Sequence, residues 1–126
     1  MMSAEEYYRR GMSHYGKGET EMPLEDYNRA IQLKPDFPEA YYTRGSLYYM
    51  TGQQNKALED YTKAIELKPD FYDAYKNRGL LYMNTGHKDK AIQDFNRAIQ
   101  LKPDYHIAYY ERGNLYSDMG KLDKAL

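Results

Sequence analysis

No cysteine occurs anywhere in the 126 residues. That removes a disulfide framework, a thiolate nucleophile and any zinc site built on sulfur. Tryptophan is also absent, and there are only three phenylalanines. Charge of one sign is lacking too: 18 Lys and Arg stand against 19 Asp and Glu, a formal net charge of −1. Binding that works mainly by neutralising phosphates wants a strongly basic face, so nucleic acid is not an expected partner. Long apolar runs are missing, the longest being a handful of residues against about 20 needed to span a bilayer, so no membrane is expected either. Met1 to Arg10 carries two acids and two bases with no apolar core, unlike a signal peptide. The expected location is cytoplasmic, although a chain without thiols would survive in a periplasm as well.

The residue in excess is tyrosine, with 16 copies. A mean hydropathy of −0.98 with 29% charged residues would, taken alone, suit a disordered chain. The 15% aromatic content argues against it, because disordered chains are poor in aromatics.

The sequence repeats itself at a shift of 34 residues. Tyr27-Asn-Arg-Ala-Ile-Gln-Leu-Lys-Pro-Asp-Phe37 returns beginning at Tyr61 and again at Phe95. Tyr41-Tyr-Thr-Arg-Gly-Ser-Leu-Tyr48 returns at Tyr75 and at Tyr109. The units are 4–37, 38–71 and 72–105, followed by a partial unit, 106–126. Each reads as two helices. Tyr41, Arg44, Gly45 and Tyr48 share one helical face, and Ala57, Tyr61, Ala64 and Ile65 share another. Gly18, Gly52, Gly86 and Gly120 fall between the halves and suit a left-handed helix C-cap. Pro35, Pro69 and Pro103 end the second helices, since proline disfavours helix at the residue before it. Pro23 is expected in the first turn of its helix, where a missing N–H does no harm.

Gly11, Gly45, Gly79 and Gly113 recur inside the first helices, where glycine costs about 1 kcal/mol relative to alanine. They predict a contact too close for a side chain, with Ala57, Ala91 and Ala125 as the natural partners. Arg10, Arg44, Arg78 and Arg112 precede these glycines, and Asp26, Asp60 and Asp94 recur beside the buried stripe of the second helices. Burial favours the pairs Arg10–Asp26, Arg44–Asp60 and Arg78–Asp94 over separately solvated side chains. Arg112 is left without an equivalent aspartate.

The period and these marks resemble the tetratricopeptide repeat over essentially the whole chain. The carrying residues are the aromatics Tyr7, Tyr41, Tyr75 and Tyr109, the interior glycines, the aromatics Tyr48, Tyr82 and Tyr116, and Ala57, Ala91 and Ala125. Tyr27, Tyr61 and Phe95, then Ala30, Ala64 and Ala98, and the prolines complete the pattern. Departures are His14 for an aromatic, Pro23 for alanine, tyrosine where tryptophan is common, and arginine before glycine where leucine is usual. The resemblance implies an all-α solenoid of antiparallel helix pairs in a right-handed superhelix, with first helices lining a concave groove. It also implies a scaffold that binds peptides or partner proteins and is not an enzyme.

Catalytic and cofactor chemistry has little footing. His14, His87 and His106 occupy three different places in the repeat, none spaced to share a metal. Gly16-Lys17-Gly18 lacks the third glycine and the preceding strand of a nucleotide loop, and reads as a turn. No cofactor and no metal is expected.

Nine tyrosines occupy core positions of the family pattern: Tyr7, Tyr27, Tyr41, Tyr48, Tyr61, Tyr75, Tyr82, Tyr109 and Tyr116. Tyr72 and Tyr105 lie at unit junctions. Five others, Tyr8, Tyr15, Tyr42, Tyr49 and Tyr110, lie on the opposite stripe of the first helices, which by resemblance faces the groove. Met12, Met50, Lys76, Leu80 and Met83 share that stripe, and these ten residues are the candidate partner-binding set. Tyrosine and methionine there can equally pack against neighbouring repeats or serve as interface residues. Acids on and beside the stripe (Glu5, Glu39, Asp73, Glu111, Asp118) outnumber its bases, Arg9 and Lys76.

Chaperone-binding relatives grip an acidic tail with Lys, Asn, Asn, Lys and Arg. The matching positions here hold Tyr8, Met12, Thr43, Asp73 and Asn77. The expected partner is a neutral-to-basic peptide with apolar or aromatic anchors, not an acidic chaperone tail. Ala108, Leu115, Tyr116 and Met119 are expected to lack a full partner helix, which suggests either a longer parent chain or a homo-oligomer through this end. A self-assembling structural module and a regulatory appendage of an enzyme beyond residue 126 are the alternative functions.

Overall fold

The computed structural model describes residues 1–124, with side chains through Gly120. It is all-helical among those residues: α1 (Ala4–Gly16), α2 (Glu21–Leu33), α3 (Pro38–Met50), α4 (Gln54–Leu67), α5 (Tyr72–Asn84), α6 (Lys88–Leu101) and α7 (His106–Lys124). Two compact units result, Met1–Pro69 holding two helix hairpins and a second beginning at Asp70 that holds α5, α6 and α7.

Local chemistry sets the boundaries. Ser3 and Glu6 form a reciprocal cap on α1: the Glu6 amide donates to Ser3 Oγ at 3.1 Å, and the Ser3 amide donates to Glu6 Oε1 at 2.9 Å. The turn between α3 and α4 is a Schellman motif. Gly52 adopts φ +81°, while the Gln53 amide donates to the Tyr48 carbonyl at 2.8 Å and the Gly52 amide to Tyr49 at 3.1 Å. Gly18 and Gly86 close the other two hairpins with the same left-handed backbone. Lys34, Lys68 and Lys102, each followed by proline, leave the helix at φ −136 to −140°. Pro23 is the third residue of α2 and is buried there.

Two expectations about the last helix change. Gly120 does not turn the chain; α7 runs on without a break through Lys124. Ala125 lies outside the described residues. Ala108 and Leu115, expected to want cover, are 0% and 1% exposed. They pack into clusters with Ala98 and Tyr105, and with Ala91 and Phe95. Met119 packs on the latter cluster, and Tyr116 is half exposed.

The glycines meet rings rather than the expected alanines. A Cβ on Gly45 would come within 3.0 Å of Asp60 Cβ and 3.1 Å of the Tyr61 ring. At Gly11 the obstacle is the Tyr27 ring at 2.7 Å, and at Gly79 the Phe95 ring at 2.8 Å, with the Ala91 carbonyl oxygen at 3.3 Å. The reason is side-chain reach: a ring extends farther from the second helix than an alanine does, although at Gly79 the expected Ala91 also comes close through its carbonyl. Tyr27, Tyr61 and Phe95 are accordingly fully buried.

Of the nine tyrosines assigned to the core, only Tyr27 and Tyr61 are buried to that degree; Tyr7, Tyr41, Tyr48, Tyr75 and Tyr82 are half-buried, and Tyr109 and Tyr116 are exposed. Tyr7, Tyr75 and Tyr82 pack against the buried clusters as expected, and the half-buried and exposed tyrosines also flank the arginines. The Arg44 guanidinium sits 5.6 Å from the Tyr41 centroid and 5.8 Å from that of Tyr48, and Arg78 sits likewise between Tyr75 and Tyr82. Arg112 lies between Tyr109 and Tyr116, while Arg10 has Tyr7 alone.

The guanidiniums of Arg10, Arg44 and Arg78 also make the expected fork. Arg44 Nε and Nη2 donate to Asp60 at 2.8 Å each, and Arg78 does the same to Asp94. Arg10 donates to Asp26 from Nε at 3.0 Å and Nη2 at 2.7 Å. Burial pushes the Asp60 and Asp94 carboxyls up, while the guanidinium pulls them down, the balance expected of a desolvated pair. A third contact was not foreseen: Arg44 Nη1 donates to Asn28 of the preceding hairpin at 2.9 Å. Arg112, without an aspartate, donates to Asn96 at 2.7 Å.

Two substitutions test this packing by urea denaturation. Gly45→Ala should destabilise by about 1–3 kcal/mol despite its better helix propensity, whereas Gly113→Ala, with no atom of the described residues within 4 Å, should stabilise by about 0.5–1 kcal/mol. Arg44→Lys, which loses the fork and the Asn28 bond, should cost about 2 kcal/mol. Arg10→Lys should cost less than half of that, since the Arg10 side chain is 47% exposed against 19% for Arg44.

Candidate functional site

The inner stripes of α1 and α3 form one surface within the first unit. Tyr8, Met12 and Tyr15 stand at helical spacing on α1, and Tyr42, Ser46, Tyr49 and Met50 on α3. Tyr8 is tilted against Phe37 at 5.0 Å and Tyr27 at 6.0 Å between centroids. Its hydroxyl lies 3.3 Å from Thr43 Oγ1. The Thr43 proton goes to the Glu39 carbonyl, so Tyr8 donates the proton between them. Tyr42 leans on Tyr61 at 5.9 Å, and the Tyr61 hydroxyl donates to Ser46 Oγ at 3.1 Å, which in turn donates to the Tyr42 carbonyl at 3.1 Å. Tyr15 and Met50 meet across the two helices, the hydroxyl 4.0 Å from Sδ.

Tyr8, Tyr15, Tyr42 and Tyr49 are half-buried, so each packs over part of its surface and leaves part accessible. The thioethers are the more exposed part, with Met12 at 46% and Met50 at 55%. The surface is less acidic than a count along the stripe suggests. Lys34 Nζ reaches Glu5 at 3.4 Å and Lys68 Nζ reaches Glu39 at 3.5 Å. Bonding to its own backbone amide, then Lys34, holds Glu5 below the ordinary carboxylate range. These lysines sit 29 residues from their acids, in the proline turns, outside any stripe drawn on the first helices.

The second unit presents a different inner stripe. Lys76 is half-buried, its Nζ 6.0 Å from the Tyr105 centroid. Burial lowers its pKa, while Asp73 and Glu111 pull it back up. Asp73 also accepts a hydrogen bond from the Tyr105 hydroxyl. Leu80 and Met83 turn toward Ala91, Phe95 and Leu115 and serve the core more than the surface. Tyr110 is 68% exposed on α7. The junction pair Tyr72 and Tyr105 meets edge to face at 5.5 Å, with Lys102 Nζ 5.1 Å from each ring.

Among the described residues no three His, Asp or Glu side chains gather to hold a metal ion, and no helix is long and apolar enough to cross a membrane. His14 Nδ1 lies 2.7 Å from Glu19 Oε2 and His87 Nδ1 lies 3.0 Å from Thr85 Oγ1, so each serves a local turn.

Comparison with known proteins agrees with this geometry. TPR-repeat profiles match residues 11–52 and 45–86, and tetratricopeptide-repeat profiles match 72–105 and 95–126. The chain belongs to the tetratricopeptide repeat family. No curated protein sequence matches it significantly. Among solved structures, this TPR chain is similar to MamA, at 30% identity over 97% of this chain and 71% of that one, TM-score 0.88. It is similar in fold to the first TPR of Spaghetti (RPAP3) bound to the HSP90 peptide SRMEEVD, at 20% identity over 94% of both chains, TM-score 0.90. YrrB, described as a TPR protein with an unusual peptide-binding site, matches at 24% identity over 90% of this chain and 58% of that one, TM-score 0.82.

Titration of the lysines by NMR tests the electrostatics of the second unit. Lys76 should lose its proton below the value of an ordinary lysine. Asp73→Asn or Glu111→Gln, each removing an acid that stabilises the charged form, should move that midpoint further down. An upward move would contradict the assignment.

Proposed function

We propose that this TPR chain is a protein–protein interaction module, without catalytic activity, whose inner surfaces bind an extended peptide or partner segment. The observation that carries the reading is the open thioether and tyrosine surface of α1 and α3: Met12 and Met50 are about half exposed beside Tyr8, Tyr15, Tyr42 and Tyr49. Such rings and flexible thioethers bury much area for little lost side-chain entropy. Tyr110 and Lys76 are the contacts proposed in the second unit, with Leu80 and Met83 beneath as its floor.

The partner is neutral to basic with apolar or aromatic anchors. The peptide-bound Spaghetti domain supports peptide binding on this fold, and its peptide is acidic. The clamp pattern for acidic tails is absent here, however. Tyr8 and Met12 replace its Lys and first Asn, and Asp73 reverses the charge of its second Lys. An acidic tail would meet rings and a carboxylate where it needs ammonium groups.

Calorimetric titration with three peptides tests the proposal: SRMEEVD, its charge-reversed form SRMKKVK, and the aromatic-anchored SRFKKYK. The expected order of affinity is SRFKKYK, then SRMKKVK, then SRMEEVD. Met50→Ala and Tyr15→Ala should each weaken the first by about 1–2 kcal/mol. Tightest binding of SRMEEVD would overturn the charge preference, and no binding by any of the three would overturn the peptide-binding reading.

A further inference from the structure

The hydroxyl of Tyr27 is fully buried and has no hydrogen-bond partner among the described residues. The two sister positions avoid that cost in different ways. Tyr61 donates to Ser46 Oγ at 3.1 Å, and Phe95 carries no hydroxyl at all. By the repeat, the residue corresponding to Ser46 in the first hairpin is Met12, which offers only a weakly accepting sulfur. The first hairpin therefore retains a buried donor that its sister hairpins satisfy or lack, and the repeat register sets the exposed, flexible Met12 at the position that would partner it. A buried unsatisfied hydroxyl is unfavourable, and a ligand group that reaches it recovers that loss.

We infer that Met12 is a displaceable cover over a hydrogen-bond subsite, and that an amide carbonyl of the bound chain, from its backbone or from an Asn or Gln side chain, enters there to accept from Tyr27. This rests on the peptide-binding reading and names what one position of that surface recognises. The chemistry favours a neutral acceptor. The Tyr8 ring stands 6.0 Å from the Tyr27 ring between centroids, and Tyr8, Tyr15 and Asp26 are the groups that act electrostatically on Tyr27, so a carboxylate entering there would lose its hydration beside an acid and gain no cation from them. Burial, reinforced by Tyr8 and Tyr15, pushes the Tyr27 pKa well above that of a free tyrosine, so the group remains a donor. Methionine suits a cover because its three rotatable bonds let it swing aside without moving the helix.

The test uses N-methylacetamide, a single amide unit, titrated into 15N-labelled protein. The amides of Gly11, Met12 and Tyr27 should shift saturably in the wild type, and at several-fold lower probe concentration in Met12→Ala. The response should vanish in Tyr27→Phe, which copies Phe95, and in Met12→Ser, which copies the Ser46–Tyr61 bond. Both variants should melt no lower than the wild type, showing that loss of response is not loss of fold. In the peptide titration, Tyr27→Phe should weaken SRFKKYK about three- to tenfold. An undiminished amide response in Tyr27→Phe, or no saturable response in either the wild type or Met12→Ala, overturns the inference. Because the amide probe needs no peptide, a subsite that responds while all three peptides fail would sink the binding reading alone.

Discussion

Everything in each hairpin depends on how closely its two helices approach at the interior glycine. The second-helix ring presses on bare backbone there, and its neighbouring aspartate is carried to the same crossing. That placement is what allows the arginine, one residue before the glycine, to meet the aspartate in a two-point fork. A side chain on the glycine would hold the helices apart, so the ring would lose its seat and the fork its geometry together. The arginine departs from the leucine usual at this place in the family. It is tolerated because the carboxylate, the flanking tyrosine faces and, in the second hairpin, Asn28 share the cost of its partial burial.

This arrangement also accounts for seven of the 16 tyrosines. A tyrosine ring lends its face to a guanidinium while its hydroxyl stays in water, which a phenylalanine would do less comfortably at a half-exposed position. The rings flanking Arg44 and Arg78 therefore sheathe an ion pair, and Tyr75 and Tyr82 among them also pack on the core. The inner-stripe tyrosines are set apart by their partners: Tyr8 on Thr43 and Phe37, Tyr42 on Tyr61, Tyr15 on Met50. They are packed on one side and accessible on the other, the arrangement on which the proposed binding surface rests.

The three hairpins are near copies, and the differences among them are where function is to be sought. Met12 stands where the second hairpin has Ser46, and Tyr27 where the third has Phe95. The first unit gathers rings and thioethers on its inner stripe. In the second, Lys76 stands among acids, with Leu80 and Met83 drawn into the core. A common scaffold thus carries two unlike surfaces.

The 34-residue period, the helix pairs, the proline and glycine turns and the Arg–Asp forks were all legible in the sequence, because each rests on local geometry repeated at a fixed offset. The assignment of glycine partners was not, since which of two nearby residues fills a gap depends on side-chain length and tilt rather than on spacing. Contacts that join different helices and turns were hidden for a related reason. Asn28 with Arg44, and Lys34 with Glu5, join residues that no helical face groups together. The same holds for the unsatisfied hydroxyl of Tyr27: its residue type could be read along the chain, but whether a partner reaches it is decided only when two helices are packed, because hydrogen bonding depends on ångström-scale distances that periodicity does not carry.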